Sequence, residues 1–401
     1  MIVRQFLQWI RNAAPGERAE ATSALARAYL HSDLSSDDLA AAEGAMIMLL
    51  DDPSPLVRRA LAEVFASSQK APRVVIDALA ADQPDVALPV LSRSPMLNED
   101  DLVDLVATGQ TQTQIAIAGR PLLSRSLAAA IAEVGSAEAC LELLENPNAT
   151  IPSFSVDRIV ARFGHLAAIR ENLMAHDDLP MATRQALLSK LSRTLAGFVS
   201  ARQWLGSEHA EDAAREACEK ATVALAAETP YEEIGALMQH LRQSGQLTAG
   251  MILRALLSGN VVLFEEALAE LSGVPLDRVT GYIHDRNISG FRALYLKAGL
   301  PSSAYPAFRE AIAAMREGVL VGEPGGVARL KRGMVERVLA RCAGERGEEA
   351  ASLLALLRRF AVEAAREEAR LFCDDLVADD SMMPPVHVMD DQLLEDHRLV
   401  A

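Results

Sequence analysis

The chain has few aromatic residues. Phe, Tyr and Trp together make up 4% of its 401 residues, although half of all residues are apolar. Sheets draw on aromatic and β-branched side chains, whereas closely packed helices draw on Ala and Leu. Because Ala and Leu supply most of the apolar residues here, the composition predicts an all-α protein.

Cysteine is also scarce. The four cysteines lie far apart and include no CxxC pair; they are Cys140, Cys218, Cys342 and Cys373. Disulfide-stapled domains carry dense cysteine frameworks, and zinc sites carry closely spaced pairs. The sequence therefore predicts neither a disulfide scaffold nor a metal site, and it indicates a reducing compartment.

The chain lacks an excess of positive charge and long apolar runs. Its formal net charge is −16, which would repel phosphate backbones and anionic membrane surfaces. No segment approaches the roughly eighteen consecutive apolar residues of a membrane span. The N-terminal residues lack the features of a signal peptide, and Ile2, Phe6 and Ile10 recur at helical spacing. We expect a cytoplasmic protein without a nucleic-acid or membrane partner.

Recognisable catalytic motifs are absent from the sequence, which contains no GxSxG elbow and no HExxH motif. The glycines of residues 318–326 match no phosphate-binding pattern and indicate a linker. His176, Asp177 and Asp178 lie in one segment, but a metal site needs ligands that return from other segments. We expect no cofactor and no metal. The sequence favours a role other than catalysis, without excluding an enzyme.

An internal repeat is the strongest pattern in the sequence. An apolar residue precedes a helix-starting residue just before each new amphipathic run, because Asn, Ser and Thr cap helices and Pro suits the first helical position. The pairs Leu97-Asn98, Leu123-Ser124, Ile151-Pro152 and Leu179-Pro180 lie 26, 28 and 28 residues apart. They return at Leu247-Thr248, Val274-Pro275 and Leu300-Pro301.

Glycines that end helices recur at the same period. Gly109, Gly135 and Gly164 lie 26 and 29 residues apart, so that each repeat holds about two short helices and two turns. Such units cannot bury their apolar faces alone and must stack. The period of about 26–29 residues therefore predicts an α-solenoid of short helix pairs.

Several phrases resemble known helical repeats. The segment DDPSPLVRRALA at residues 51–62 resembles the start of a HEAT repeat, and the middle section is closer in period to leucine-rich-variant helical repeats. The phrases IHDR at 283–286 and GFRALY at 290–295 resemble the bacterial family known as domain of unknown function 2336. That resemblance covers roughly residues 35 to 316 and implies a HEAT-like fold, with no established activity.

Composition shifts divide the chain into seven predicted segments. They are N-terminal capping helices (1–34), a HEAT-like repeat block (35–205), a connecting polar helix (206–228), a second repeat block (229–317), a linker (318–326), a C-terminal helical hairpin (327–377) and an acidic tail (378–401). In the last predicted helix, the apolar residues from Leu353 to Leu371 trace one stripe. That stripe could cap the repeats or pair two chains in a homodimer through residues 327–377.

Two clusters are candidate binding sites. His284, Asp285 and Arg286, with Arg292 nearby, could bind a small ligand or an anion, although consecutive residues point in different directions and favour an ordinary turn. A basic segment could bind an anionic partner or the chain's own acidic tail. Its candidate residues are Arg329, Lys331, Arg332, Arg337 and Arg341.

The leading functional hypothesis is a protein-interaction scaffold or regulatory adaptor, because stacked helix pairs make long binding surfaces. We expect contact with a protein partner along equivalent helices near residues 98–108, 124–134 and 152–163. The alternatives are a ligand sensor or enzyme with a pocket near His284, and nucleic-acid binding through the basic segment, which the net charge opposes.

Overall fold

The computed structural model describes residues 6, 8–10, 12–285, 288–317, 330–344 and 347–382, without the side chains of residues 288, 348 and 375–382. All regular secondary structure in these ranges is helical, which confirms the predicted all-α class. No helix in them is both long enough and apolar enough to cross a membrane. Predicted site residues Arg286 and Arg329, the linker and residues 383–401 of the tail lie outside the described residues.

The chain divides into two compact units. Unit 1 comprises residues 1–179 and 189–194, and unit 2 comprises residues 180–188 and 195–401. The helices up to the division are α1 (Pro15–His31), α2 (Ser36–Leu49), α3 (Pro55–Phe65), α4 (Arg73–Ala80), α5 (Pro84–Arg93), α6 (Glu99–Thr108), α7 (Thr111–Ala118), α8 (Arg125–Val134), α9 (Ala137–Glu145), α10 (Ser153–Phe163) and α11 (Ala167–Met174).

Helix α12 (Met181–Ala201) contributes residues to both units. The helices that follow it are α13 (Ser207–Glu228), α14 (Tyr231–Gln243), α15 (Ala249–Ser258), α16 (Val261–Ser272), α17 (Leu276–His284), α18 (Ile288–Lys297), a 3-10 turn (Ser302–Ala304), α19 (Tyr305–Arg316), α20 (Arg332–Cys342) and α21 (Glu348–Met382). Each unit has its own buried residues and is described separately below.

Unit 1 is built from helix pairs arranged in two layers. Helices α1, α3, α5, α7, α9 and α11 form one layer, in which each helix contacts the next member. Helices α6, α8 and α10 lie side by side in the second layer, and α2 contacts α4 there. These are the contacts expected when consecutive pairs stack on their apolar faces. The three helices predicted near 98–108, 124–134 and 152–163 are therefore neighbours.

Hydrogen bonds between equivalent positions hold the helix pairs of unit 1 in register. The buried side chain of Asn146 donates through Nδ2 to the carbonyl oxygens of Ala118, at 2.8 Å, and Arg120, at 2.9 Å. Arg120 in turn donates to the carbonyl oxygens of Leu91 and Ser94. The Asn146–Ala118 and Arg120–Ser94 pairs span 28 and 26 positions. The period in the sequence therefore corresponds to contacts between successive repeats. The side chains of Asn146 and Arg120 each donate to carbonyl groups that are left unpaired at a helix end of the preceding repeat.

The predicted helix ends agree with the structure. Gly109, Gly135 and Gly164 each end a helix and donate their backbone N–H to the carbonyl four residues earlier. At Gly135 a Cβ atom would lie 2.5 Å from the carbonyl oxygen of Ile131, which is too close for any residue with a side chain. This close contact explains why the position is glycine. At the helix starts, the hydroxyl of Ser124 accepts from the backbone N–H of Leu127 at 3.1 Å, as a capping residue should.

Two details of the helix starts differ from the prediction. Pro152, Pro180 and Pro275 occupy the position before the first helical residue, because their ψ angles near 140° are extended. The sequence TPYE at residues 229–232 predicts a capping box for α14. This prediction is wrong, because the Thr229 hydroxyl donates to the carbonyl of Leu225, within the preceding helix α13.

Unit 2 gathers several of the chain's few aromatic residues. Phe264 and Phe308 stack with ring centroids 6.1 Å apart, and Tyr295 packs edge-on against Tyr305 at 5.2 Å. The Tyr295 hydroxyl donates to the carbonyl of Pro301 at 2.6 Å, and burial raises the pKa of that hydroxyl. These rings anchor a continuous core to which α13 to α21 contribute.

The last two helices pack within unit 2. The predicted apolar stripe is buried in its core through Leu353, Leu357, Phe360 and Ala364, so that α21 covers the other helices in cis. Helix α21 continues to Met382, five residues beyond the end predicted from the sequence. A homodimer through residues 327–377 stays a prediction, and it would have to use the outer face of these helices.

Candidate functional site

A cluster of exposed apolar and aromatic residues of unit 2 lies where α12 ends. Leu195, Phe198, Trp204 and Leu205 are exposed by 53%, 47%, 64% and 49%. With Arg202 these residues form what we term the Trp204 surface. Single exposed apolar residues are ordinary in proteins, but a contiguous group of large ones marks an interaction site.

The backbone that presents Trp204 is strained. Gln203 has a φ angle of 57° and is the only non-glycine residue with positive φ in the described part of the chain. Its N–H donates to the carbonyl of Ser200, and the N–H of Trp204 donates to that of Val199. This pair of bonds is the Schellman motif, whose left-handed position normally holds glycine. The turn directs the chain out of α12 and carries Trp204 beyond its last residue.

Arg202 organises the two aromatic rings. Its guanidinium lies 4.4 Å from the ring centroid of Phe198 and 5.6 Å from that of Trp204. The two rings meet edge to face, with centroids 5.9 Å apart and an interplanar angle of 87°. Cation–π and edge-to-face contacts of this kind fix side chains that would otherwise be mobile. The cluster is therefore an ordered apolar surface, suited to binding and without an acid, base or nucleophile.

The predicted site at His284 has a different arrangement from the one expected. His284 ends α17, and its Nε2 lies 2.9 Å from Oε1 of Glu265, whose other oxygen accepts from the Thr280 hydroxyl at 2.7 Å. Asp285 follows the helix, and Arg292 lies exposed on α18. No hydrogen bond or ion pair within the described residues joins Arg292 to His284 or Asp285. The structure thus brings His284 to Glu265 and leaves Arg292 apart.

A cavity of about 290 Å³ lies beside this histidine. Its lining includes Glu265, Glu266 and Asp277, with Tyr231 at one side. Burial, with the charges of neighbouring glutamates, raises the pKa of Glu266, although a hydrogen bond from Tyr231 opposes the shift. Three carboxylates disfavour an anion here. The anion-binding role predicted for His284 therefore gains no support from its surroundings.

The predicted basic segment is largely paired with carboxylates of its own unit. Arg332 bonds Glu336 at 2.7 Å and Glu368 at 2.9 Å, and Arg337 bonds Glu317 at 2.5 and 2.9 Å. The backbone N–H of Lys331 donates to the carbonyl of Leu257. Arg341 is exposed and, within the described residues, forms no ion pair. An anionic partner at this segment would have to displace existing ion pairs.

No group of three or more potential metal ligands occurs in the part of the chain that the structure describes. His176, Asp177 and Asp178 are exposed between α11 and α12. Sequence reasoning missed the Trp204 surface. The sequence does contain an indication of this surface: Trp204 is one of only two tryptophans, and it follows a helix instead of lying on an apolar stripe.

Residues 86–346 match the family model described as "Uncharacterised protein conserved in bacteria (DUF2336)". The chain belongs to the DUF2336 family. The match covers nearly two-thirds of the chain, beginning and ending later than the sequence resemblance predicted. The DUF2336 region includes the Trp204 surface and the predicted His284 site, and it ends before α21. No curated protein and no solved structure matches the chain.

Proposed function

We propose that this DUF2336 protein is a bacterial, cytoplasmic interaction adaptor built on HEAT-like helix pairs, and that the Trp204 surface binds its protein partner. One observation carries the proposal: Phe198 and Trp204 are ordered and exposed side by side around Arg202. Trp and Arg are among the residue types that contribute most binding energy at protein interfaces. Burying these rings against a partner would remove their apolar surface from water, which favours binding.

A protein partner fits this surface better than a membrane or a nucleic acid. A membrane leaflet with anionic lipids and a phosphate backbone would both be repelled by the net charge of −16. An aromatic surface with a single arginine instead matches the centre of a protein interface, where charged residues are depleted and Trp and Arg are enriched.

The helix layer of α6, α8 and α10 remains a second predicted surface. Its exposed residues include Val134 and Phe154 beside many charged side chains, some of which already pair across neighbouring helices: Arg158 of α10 meets Glu133 of α8 at 2.8 Å. Exposed ion pairs of this kind add little binding energy. We therefore assign the main contact to the Trp204 surface and regard this layer as the platform of the adaptor.

Copurification from the native cell, with matched variants, tests the proposal. The wild-type chain should recover a protein in an amount comparable to its own, and Trp204→Ala should lose most of it. Phe372→Ala is the control, because Phe372 is an aromatic residue of the same unit that is 65% exposed, as Trp204 is 64% exposed, and it lies on α21, outside the Trp204 surface. Equal recovery by wild type and Trp204→Ala, or equal loss by both variants, would contradict the proposal.

A further inference from the structure

A second site lies in unit 2, on the side formed by α13, α15 and α21. These helices line an open cavity of about 520 Å³, large enough for a small organic ligand. Six cationic side chains line it: Lys220, Arg254, Arg358, Arg359, Arg366 and Arg370. On a protein of net charge −16, such a concentration of positive charge needs an explanation.

Arg254 is the buried centre of the cavity lining. Its side chain is 2% exposed, and Nη1 bonds both carboxylate oxygens of Glu363, at 2.9 and 2.8 Å. The guanidinium lies 4.5 Å from the ring centroid of Phe360. Its Nε and Nη2 atoms are buried, and neither donates a hydrogen bond within the described residues. A buried guanidinium with unused donors is costly unless another acceptor completes it.

The carboxylates of the cavity are already shared among its cations. Lys220 forms ion pairs with Glu363, at 2.8 Å, and with Glu367. Glu216 lies 3.5 Å from Arg359 and 3.7 Å from Nη2 of Arg254, which is too far for a good hydrogen bond.

Three arginines of the lining have no such carboxylate. Arg358, Arg366 and Arg370 are exposed, and none forms an ion pair within the part of the chain that the structure describes. Six cations face three carboxylates, which leaves an excess of three positive charges around one concave surface.

We propose that this cavity binds a small molecule that carries two or more phosphate groups. Arginine forks recognise phosphate oxygens through paired hydrogen bonds, and several arginines together match a multiply charged anion. Val362, 53% exposed on the cavity wall, offers an apolar surface for the remainder of such a ligand. A concave site of this volume fits a small molecule, whereas the net charge of the chain disfavours a nucleic acid.

Titration calorimetry on the full chain, with inorganic pyrophosphate as the probe, tests this proposal. We expect one-to-one binding with a Kd below about 1 mM at moderate salt. Arg366→Glu/Arg370→Glu should weaken binding at least about tenfold, because it replaces two unpaired cations with anions. Arg278→Glu/Arg341→Glu is the matched control, because it reverses the charge of two exposed arginines of unit 2 outside the cavity, and it should change the Kd less than about twofold.

Three results would overturn the proposal. The first is the absence of binding to the full chain at about 10 mM pyrophosphate. The second is equal weakening by Arg278→Glu/Arg341→Glu and by the cavity variant, which would indicate general charge attraction. The third is binding only after Asp390, Asp391, Glu395 and Asp396 are changed to amides, which would make the chain's own tail the occupant. Both sets of arginines are exposed, so circular dichroism should confirm that the variants fold.

Discussion

Arg254 bonds both carboxylate oxygens of Glu363, although the two residues are 109 positions apart. The pair joins α15 to α21 inside unit 2, with Phe360 packed against the guanidinium. Helix α21 lies beyond the DUF2336 match. This helix is therefore bound to the family core by a largely buried ion pair as well as by its apolar stripe.

Breaking this pair should destabilise unit 2. Glu363→Gln should lower the free energy of unfolding by about 3 kcal/mol, because Arg254 would keep its charge in a buried position with only the longer ion pair to Glu216, at 3.7 Å, remaining. Urea unfolding measures the change. Glu368→Gln is the matched control: Glu368 also pairs with an arginine but is 61% exposed, and its loss should cost no more than about 1 kcal/mol. Equal costs for the two variants would contradict the account.

The effect of Glu363 should depend on pH. Burial acts to raise the pKa of its carboxyl, but the hydrogen bond from Lys220 and the charge of Arg254 outweigh burial and leave the pKa below its ordinary value. A lowered pKa in the folded state stabilises the protein above the ordinary pKa, and this stability is lost as pH falls through the folded value. The difference in the free energy of unfolding between wild type and Glu363→Gln should therefore be largest near pH 7 and should shrink below about pH 4. A difference that does not change with pH would contradict this prediction.

Asn146 should matter more to unit 1 than its exposed neighbour Asn148. Asn146→Ala would leave the carbonyls of Ala118 and Arg120 without their donor and should cost about 1–3 kcal/mol in urea unfolding. Asn148→Ala should stay within about 0.5 kcal/mol of wild type, because that side chain is exposed. Similar values for both variants would show that the bonds from Asn146 do not hold the repeats in register.

The repeat was readable from the sequence because helix starts and stops carry local signals. Gly135 and Ser124 act through neighbours within four residues, so that their roles follow from spacing alone. The bonds of Asn146 and Arg120 connect different repeats, so that spacing predicts their period but does not identify the donors.

The candidate sites were harder to predict from the sequence than the repeat, because their residues come together only through tertiary packing. Arg254 stands in the apolar segment AGMILRALLS, which indicates a buried charge but not its partner 109 residues away. The cavity arginines depend on how α21 packs against α13 and α15, which local spacing does not encode. The consecutive residues His284 and Asp285 form a recognisable cluster in the sequence. In the structure, however, His284 contacts Glu265, which lies 19 positions earlier in the chain.

Gln203 stores strain that a glycine would release. Gln203→Gly should stabilise the chain by about 0.5–1 kcal/mol, since a side chain disfavours the left-handed conformation. Gly245 ends α14 in the same Schellman arrangement with φ of 69°, so Gly245→Gln should destabilise by about 1 kcal/mol. Urea unfolding of both variants checks the pair. A loss of stability in Gln203→Gly would contradict the strained turn.

The four thiols should differ in reactivity. Cys140, Cys218 and Cys342 are buried, whereas Cys373 is exposed. Burial raises the pKa of Cys140 to about 11, so that its thiolate is rare at neutral pH. A disulfide reagent should label one thiol quickly in the native chain and all four after denaturation. Cys373→Ser should remove the rapid labelling of the native chain. Rapid labelling of a second thiol would contradict the burial of the other three cysteines.

Photo-crosslinking at position 204 tests the adaptor function most directly. The photoreactive residue p-benzoylphenylalanine replaces Trp204 in one strain and the similarly exposed Phe372 of α21 in another. Irradiation of growing cells, followed by mass spectrometry, should give one dominant protein adduct at position 204 and little at position 372. No adduct at position 204, an equal yield at both positions, or an adduct only with a second copy of the chain would contradict partner binding at the Trp204 surface.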